Sequence, residues 1–382
     1  MKTLRVKCEY LKAGGSGVCQ IDGKTAYVPS LLPGEEAEII SSREKKNHIE
    51  VLEAHRLEDS PLRIKPSCPY SGSCGGCDFD YVSEESSAFL KKDIVINTVR
   101  GSTGEDISSV MLPPVWGRKD GYRARCRIHV SLRDRKLGFL SKKSNSLVEV
   151  SSCPLLTVRL NEILSNPSLV FTRAQSYLFS KGVNPKTGFI DLSLFDADDR
   201  VLIEKDEGIR TIGPYVFNLS ANVFFQSNPH LLPELFRFVK ENAEGHAIMD
   251  LYSGVGTFSA LFENEGKDVT AVERDRYCLS LARRNAPSAA FYTDDVSSWA
   301  RKVRKRVDTV IVDPPRTGLG KGTSELIASW NAERIIYVSC NSVTLASDLR
   351  ELTRRYRIVK AQVFDFYPSS SHEESAVLLE RK

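Results

Sequence analysis

The sequence predicts a three-part protein: a small N-terminal β-barrel, a mixed α+β middle and a C-terminal α/β unit built on a parallel sheet. Three observations carry this. Residues 1–57 alternate short apolar stretches with glycine turns, Gly14-Gly15-Ser16-Gly17 and Asp22-Gly23-Lys24 among them, which is the pattern of many short strands. From about residue 213 to residue 382, apolar strand-like runs alternate with helical stretches, as a sheet with helical crossovers requires. Between these, residues 58–212 mix strand-like runs with Gly/Asp turns and open on a cluster of cysteines.

Composition excludes several classes. With 382 residues, 41% hydrophobic and 27% charged, the chain has an ordinary globular mixture rather than that of a disordered tail or a small disulfide scaffold. Lys and Arg total 53 against 49 Asp and Glu, a net charge of +4, so there is no global polycation, though a local basic face remains open. No apolar run reaches the roughly 18 residues that a membrane span needs. The start, Met1 to Lys7, is charged and has no secretory apolar stretch. A soluble cytoplasmic protein is the expectation.

In the middle region, Cys68-Pro69-Tyr70-Ser71-Gly72-Ser73-Cys74-Gly75-Gly76-Cys77 gathers three thiols in one glycine-rich loop, and Cys153 could supply a fourth from a distance. Four thiolates suit zinc or an iron–sulfur cluster. Zinc ribbons pair two Cys-x-x-Cys knuckles and this chain has one, so a three-plus-one set fits an iron–sulfur cluster better. Cys8, Cys19, Cys126 and Cys278 stand alone and read as core.

Next comes a basic strand. Tyr122 to Val130 alternates strictly, so one face carries Arg123, Arg125, Arg127 and His129 while the other looks buried. Residues 91–143 hold 13 Lys/Arg and 5 Asp/Glu, Lys142 and Lys143 included. Adjacent cations repel unless an anion covers them, and a phosphodiester backbone is such an anion. A second run, Arg301 to Arg306, reads as a solvated helix end.

In the C-terminal part, four apolar runs each finish on a polar residue: Asp250, Glu273, Asp313 and Cys340. Open α/β sheets bind ligands beyond the carboxyl ends of their strands, so these residues should share one rim. After the first run, Asp250-Leu251-Tyr252-Ser253-Gly254-Val255-Gly256-Thr257 supplies a tight glycine turn, and Ser259 stands where a dinucleotide fold wants a third glycine. Glu273 is placed to grip ribose hydroxyls, and Asp295 to meet an adenine amino group or to cap a helix. This ordered set resembles a class I methyltransferase using S-adenosylmethionine. Asp313-Pro314-Pro315-Arg316 has Arg316 where amino-group methyltransferases carry a stacking aromatic, which argues against a nitrogen acceptor.

Cys340, in Ser339-Cys340-Asn341, places a thiol on the same rim, and the loop Pro368 to Glu374 should reach it too. A thiol, a carboxylate and a methyl donor suit methylation at carbon 5 of a pyrimidine. Thiolate addition at carbon 6 makes carbon 5 nucleophilic, and a base later removes its proton.

With these residues in view, the chain resembles the RNA uracil-C5 methyltransferases, in particular the 23S rRNA type with a TRAM domain and an iron–sulfur cluster. The resemblance covers nearly the full length. It implies that Cys68, Cys74, Cys77 and Cys153 hold a [4Fe–4S] cluster. It implies that Gln226, in Phe224-Phe225-Gln226-Ser227-Asn228, helps bind S-adenosylmethionine. Cofactor contacts then fall on Tyr252, Gly254, Gly256, Thr257, Glu273, Asp295 and Asp313. Cys340 becomes the nucleophile and Glu374, in His372-Glu373-Glu374, the base. Residues 1–57 become an OB-like TRAM barrel, residues 58–212 the cluster-bearing domain that grips RNA through Arg123, Arg125 and Arg127, and residues 213–382 a Rossmann-like methyltransferase domain. Ser342, Tyr367 and Ser370 depart from the usual Pro, Phe and Thr of the family. The expected partner is RNA, with 23S rRNA ahead of tRNA, bound by a monomer that touches no membrane. A catalytically silent RNA-binding assembly factor and an iron–sulfur redox protein are the rivals.

Overall fold

The computed structural model describes residues 4–142, 144–184, 189–303 and 306–382. Lys143, Arg304 and Lys305 lie outside the described residues, so the basic runs that include them are followed only in part. No helix among the described residues is long and apolar enough to cross a membrane.

The N-terminal strands form one six-stranded sheet in the order Leu4–Lys7, Glu36–Glu44, Ile49–Arg56, Lys24–Val28, Gly17–Ile21, Tyr10–Leu11. It curls over a core of Val6, Leu11, Cys19, Ile21, Val28 and Leu32. Phe79, just past the cysteine loop, is fully buried in this core. The middle region contributes a five-stranded sheet, Val201–Ile203, Phe189–Asp196, Arg125–Ser131, Lys136–Leu140, Leu147–Glu149, backed by helices Val158–Ser165 and Ser168–Ser180. The strand Arg125–Ser131 alternates as expected: Cys126, Ile128 and Val130 are buried, while Arg127 is exposed.

The C-terminal sheet has seven strands in the order Ala290–Thr293, Asp268–Glu273, Ala247–Leu251, Thr309–Val312, Arg334–Ser339, Ser375–Arg381, Tyr356–Val363. The first five run parallel, and Ser375–Arg381 runs against both its neighbours. Helices cover both faces, so the central strands are buried on both sides and read as continuous apolar runs; all of Thr309–Val312 is buried. Chain order reverses between Ala247–Leu251 and Thr309–Val312, which opens a crevice at the carboxyl ends of the strands.

One long helix, Glu84–Thr103, stitches the regions together. Ser83 caps its start by accepting from the Ser86 amide, and Gly104, with φ of 78°, ends it. Its Val95, Ile96 and Val99 enter the C-terminal core beside Leu345, Leu349 and Leu352. Its Leu90 and Ile94 enter the N-terminal core. Met111 and Val115 then run alongside Ala361 and Phe364 and extend the seven-stranded sheet. Residues 84–115 thus precede the C-terminal sheet by far in sequence and yet pack with it.

Candidate active site

The strand Ala247–Leu251 delivers the glycine turn to the crevice. Asp250 is buried and accepts hydrogen bonds from the Ser259 amide (2.9 Å) and hydroxyl (2.5 Å), which fixes the turn from below. Tyr252 is left-handed (φ 61°), an uncommon state for a side-chain-bearing residue, and its hydroxyl donates to the Leu319 carbonyl at 3.0 Å. Gly256 (φ 77°) is required by space as well as backbone, because an added Cβ would lie 3.2 Å from the Ala282 Cβ. At Gly254 (φ 54°) an added Cβ would meet nothing within 4 Å, so the turn opens onto free space there.

That space is a cavity of about 540 Å³. Gln226, Tyr252, Gly254, Thr257, Glu273, Asp295, Asp313, Cys340 and Glu374 all line it. Gly256 is not among its lining residues and acts through the packing just described. Glu273 accepts from the Gly254 amide (3.1 Å) and the Asp275 amide (2.8 Å), so its carboxylate sits at the mouth of the turn. Asp295 caps the helix Val296–Ala300 through the Ser297 and Ser298 amides and also lines the cavity. The chamber is large enough for a nucleoside-sized cofactor. Two buried polar atoms on its lining, Ser253 Oγ and Glu374 Oε1, have no partner within the protein, as befits a wall that meets a polar ligand.

Strand register brings the thiol and the carboxylate together. Ser339 and Ser375 are direct partners in the antiparallel ladder. The next residues outward, past the last rung, are Cys340 and Glu374; both line the cavity, and the Glu374 charge acts on the Cys340 thiol. Asp313 follows Val312, which is in register with Tyr337 on the adjacent strand. Burial, with the Glu374 and Asp313 charges behind it, pushes the Cys340 thiol up to about 12. Burial and the Asp313 charge also hold Glu374 well above the ordinary carboxylate range, against a hydrogen bond from Gln226. Asp313 itself is pushed up to about 7 by burial and by Asp250.

Consecutive glutamates diverge here. Glu374 faces the cavity, whereas Glu373 accepts from the Ser342 amide at 3.3 Å. Ser342 opens the helix Ser342–Leu352, which Asn341 caps. The Asn341 side chain also donates to the Arg316 carbonyl at 2.9 Å and so ties the Cys340 turn to the loop after Asp313.

Sequence reasoning missed some of this wall. Arg274 and Asp294 line the cavity, and so does Cys278, which sequence reading assigns to the core. Cys278 lies on the first turn of the helix Arg276–Asn285, close to the rim, where helical periodicity alone does not distinguish a core face from a ligand face.

A second cavity, about 150 Å³, is lined by Cys68, Cys74, Cys77 and Cys153 together with Arg123 and Arg127. All four thiols are free. Among the described residues no group of three or more His, Cys, Asp or Glu side chains is set to hold a metal ion. Arg123 precedes the regular strand, bridges Leu156, and donates from Nε to the Arg125 carbonyl at 3.0 Å. Its side chain therefore faces the cysteines. Arg125 lies 5.9 Å from the exposed Phe224 ring.

Comparison with known proteins accords with this geometry. The family model for tRNA (uracil-5-)-methyltransferase matches residues 302–382. Over 97% of both chains, the protein is 29% identical to an uncharacterized RNA methyltransferase of Treponema denticola. It is 28% identical to the 23S rRNA (uracil(1939)-C(5))-methyltransferase RlmD of Vibrio parahaemolyticus, covering 98% of this chain and 95% of that one. The Photorhabdus laumondii RlmD is 26% identical over 99% and 96%. The crystal structure of Pyrococcus abyssi tRNA (uracil-54, C5)-methyltransferase with S-adenosyl-L-homocysteine shares the fold, with a TM-score of 0.74 and 23% identity over 98% of this chain and 99% of that one.

Proposed function

We propose, on the premise that this chain is one of the RNA uracil-C5 methyltransferases and hence an S-adenosylmethionine-dependent transferase, that it methylates carbon 5 of a specific uridine in 23S rRNA. The observation that carries the reading is that Cys340 and Glu374, from adjacent antiparallel strand ends, share the wall of the glycine-turn cavity. Full-length similarity to two 23S rRNA enzymes favours ribosomal RNA. The same chemistry on tRNA is the alternative outcome of the test.

The residues divide the work as follows. Gln226, Tyr252, Gly254, Thr257, Glu273, Asp295 and Asp313 hold the cofactor, with Gly256 keeping the turn in shape. S-adenosylmethionine bound there supplies an electrophilic methyl group. The target base must be swung out of its stack to reach the rim. The Cys340 thiolate adds to carbon 6, and the electron pair moved to carbon 5 would take the methyl group as its bond to the cofactor's sulfonium sulfur breaks, that sulfur keeping the pair as a neutral thioether. Glu374 then collects the carbon 5 proton, the 5,6 double bond re-forms, and the thiolate leaves. The buried, carboxylate-lined setting holds the Cys340 thiol high, and a cationic cofactor bound in the cavity would offset those charges and favour the thiolate.

In the same reading, Cys68, Cys74, Cys77 and Cys153 hold a [4Fe–4S] cluster. Four free thiols around one cavity support it. Its part is to hold the loop in shape. Residues 1–57 act as a TRAM-like barrel, residues 58–212 as the RNA-gripping domain apart from the stretch 84–115 that packs on the C-terminal sheet, with Arg125 and Arg127 meeting phosphate and Arg123 and Arg127 beside the cysteines, and residues 213–382 as the methyltransferase domain.

The test maps 5-methyluridine across ribosomal and transfer RNA with the gene present and absent. Loss at one 23S position is expected. Loss in tRNA alone would move the substrate, and no loss in either would end the proposal.

A further inference from the structure

The loop that carries Glu374 is tied along its length to parts of the protein far from it in sequence. Near its start, Lys91 Nζ donates to the Tyr367 carbonyl at 2.9 Å. Closer to Glu374, the hold comes from the residue that directly follows Cys77. Asp78 Oδ1 accepts from the Ser371 amide at 2.7 Å, and Oδ2 accepts from the Ser371 hydroxyl at 2.8 Å. In return, the Asp78 and Phe79 amides both donate to the Ser369 carbonyl, at 3.2 and 3.1 Å. Four hydrogen bonds therefore join segments 293 residues apart, three residues short of Glu374. The clamp has a firm footing, because the Phe79 ring is fully buried in the N-terminal core. A third contact closes it: a Cβ added at Gly15 would lie 3.0 Å from the Ser371 Cβ. Neither Asp78 nor Ser371 lines the cofactor cavity.

We propose that Asp78 is a positioning residue for the Glu374 base, clamping Ser369–Ser371 so that the carboxylate is aimed at carbon 5 of the bound uracil. This rests on the function proposed above. The step it serves is the last one: the carbon 5 proton passes to a Glu374 oxygen, its bonding pair restores the 5,6 double bond, and the bond between Cys340 sulfur and carbon 6 breaks. Thiol addition and methyl transfer precede that step and do not need the clamp. A protein without the clamp therefore adds and methylates but releases slowly, and RNA joined to Cys340 accumulates. Accumulation separates a misaimed base from a protein that is merely damaged, since damage lowers every step.

The experiment uses the full-length protein, unmethylated 23S rRNA transcript and S-adenosylmethionine. It reads 5-methyluridine turnover and the Cys340–RNA adduct on denaturing gels. Asp78→Ala should lower turnover between about tenfold and a hundredfold, the scale of a misplacement near 1 Å. The adduct should rise in the same samples, as it should more strongly in Glu374→Gln. Cofactor affinity should stay within about twofold of wild type. Asp78→Asn keeps an acceptor for the Ser371 amide and a group that can pair with its hydroxyl, and should lose less than about threefold. Ser371→Ala removes one bond only, so it gives a smaller adduct rise and serves if Asp78→Ala does not fold. The proposal is overturned if Glu374→Gln accumulates adduct while Asp78→Ala and Ser371→Ala do not, or if Asp78→Asn is as damaging as Asp78→Ala. A wild-type protein that leaves the RNA unmethylated, with no adduct in Glu374→Gln, overturns the proposed function and this role with it.

Discussion

Replacing Lys91 with methionine should destabilise the protein by about 3–5 kcal/mol, the scale for stranding one member of a buried ion pair. Lys91 Nζ lies 2.6 Å from Asp365 Oδ1, and both side chains are 0% exposed. Asp365 also accepts from the Ser87 hydroxyl at 2.6 Å and the Tyr367 amide at 3.2 Å. The methionine fills most of the volume but leaves a buried carboxylate with two neutral donors and no cation. Folded proteins hold roughly 5–15 kcal/mol in reserve, so the loss is a large share of the total. In urea, with a slope of about 2–3 kcal/mol per molar, the unfolding midpoint should fall by about 1–2 M. The double variant Lys91→Met with Asp365→Asn removes the stranded charge, and should recover part of the loss because the two sites are coupled through direct contact. A Lys91→Met midpoint within about 0.3 M of wild type, or a double variant no more stable than the single one, would refute the reasoning.

Four shorter predictions follow from the site. Cys340→Ala should reduce 5-methyluridine formation by more than about a thousandfold and leave no covalent RNA adduct on denaturing gels. Gly256→Ala should cost more stability than Gly254→Ala in thermal melts, since both pay the left-handed penalty of about 1–2 kcal/mol but only the former meets Ala282. Asp313 is raised to about 7 by burial and by Asp250, so the folded state holds that proton more tightly than the unfolded chain does. The stability it contributes is present below about pH 4 and is lost as the pH rises through 7, so the unliganded protein should melt lower at pH 8 than at pH 5, and Asp313→Asn should flatten the difference. On the proposed cluster assignment, the purified protein should carry iron and absorb in the visible when handled anaerobically, and Cys77→Ala should abolish both; iron-free wild-type protein would refute the assignment.

Much of the C-terminal half was legible because its strands are buried on both faces. Such strands must be continuously apolar, so Thr309–Val312 announced itself to the residue, and three of the polar residues expected on one rim, Glu273, Asp313 and Cys340, line the cavity, while Asp250 lies buried within its strand beneath the turn. The glycine turn was legible for a different reason: Gly256 stands where backbone and neighbour both forbid a side chain. What stayed hidden was partner choice over long separations. Nothing local distinguishes Lys91 from a solvated helix lysine, yet Asp365 claims it. Asp78 reads as a loop acid until Ser371 is seen against it. The helix Glu84–Thr103 shows its apolar positions, but sequence alone does not say that two different cores share them. Alternation runs on past the regular ladder: Tyr122 and Ala124 are buried, and Arg123 shares the cysteine cavity with Arg127, two residues beyond Arg125 on the same face.

The reversed strand Ser375–Arg381 bears on how such a protein diverges. A parallel strand hands over its carboxyl end, so whatever reaches the edge trails behind it. The reversed strand presents its amino end instead, and Glu374 arrives on the return leg of a hairpin whose turn never leaves that edge. The turn between residues 364 and 374 is pinned on its way by the Lys91–Asp365 pair and by Asp78, so its length cannot drift without breaking a bond to a segment hundreds of residues earlier. Sulfur and acid are therefore inherited together, each fixed by a different stretch of chain.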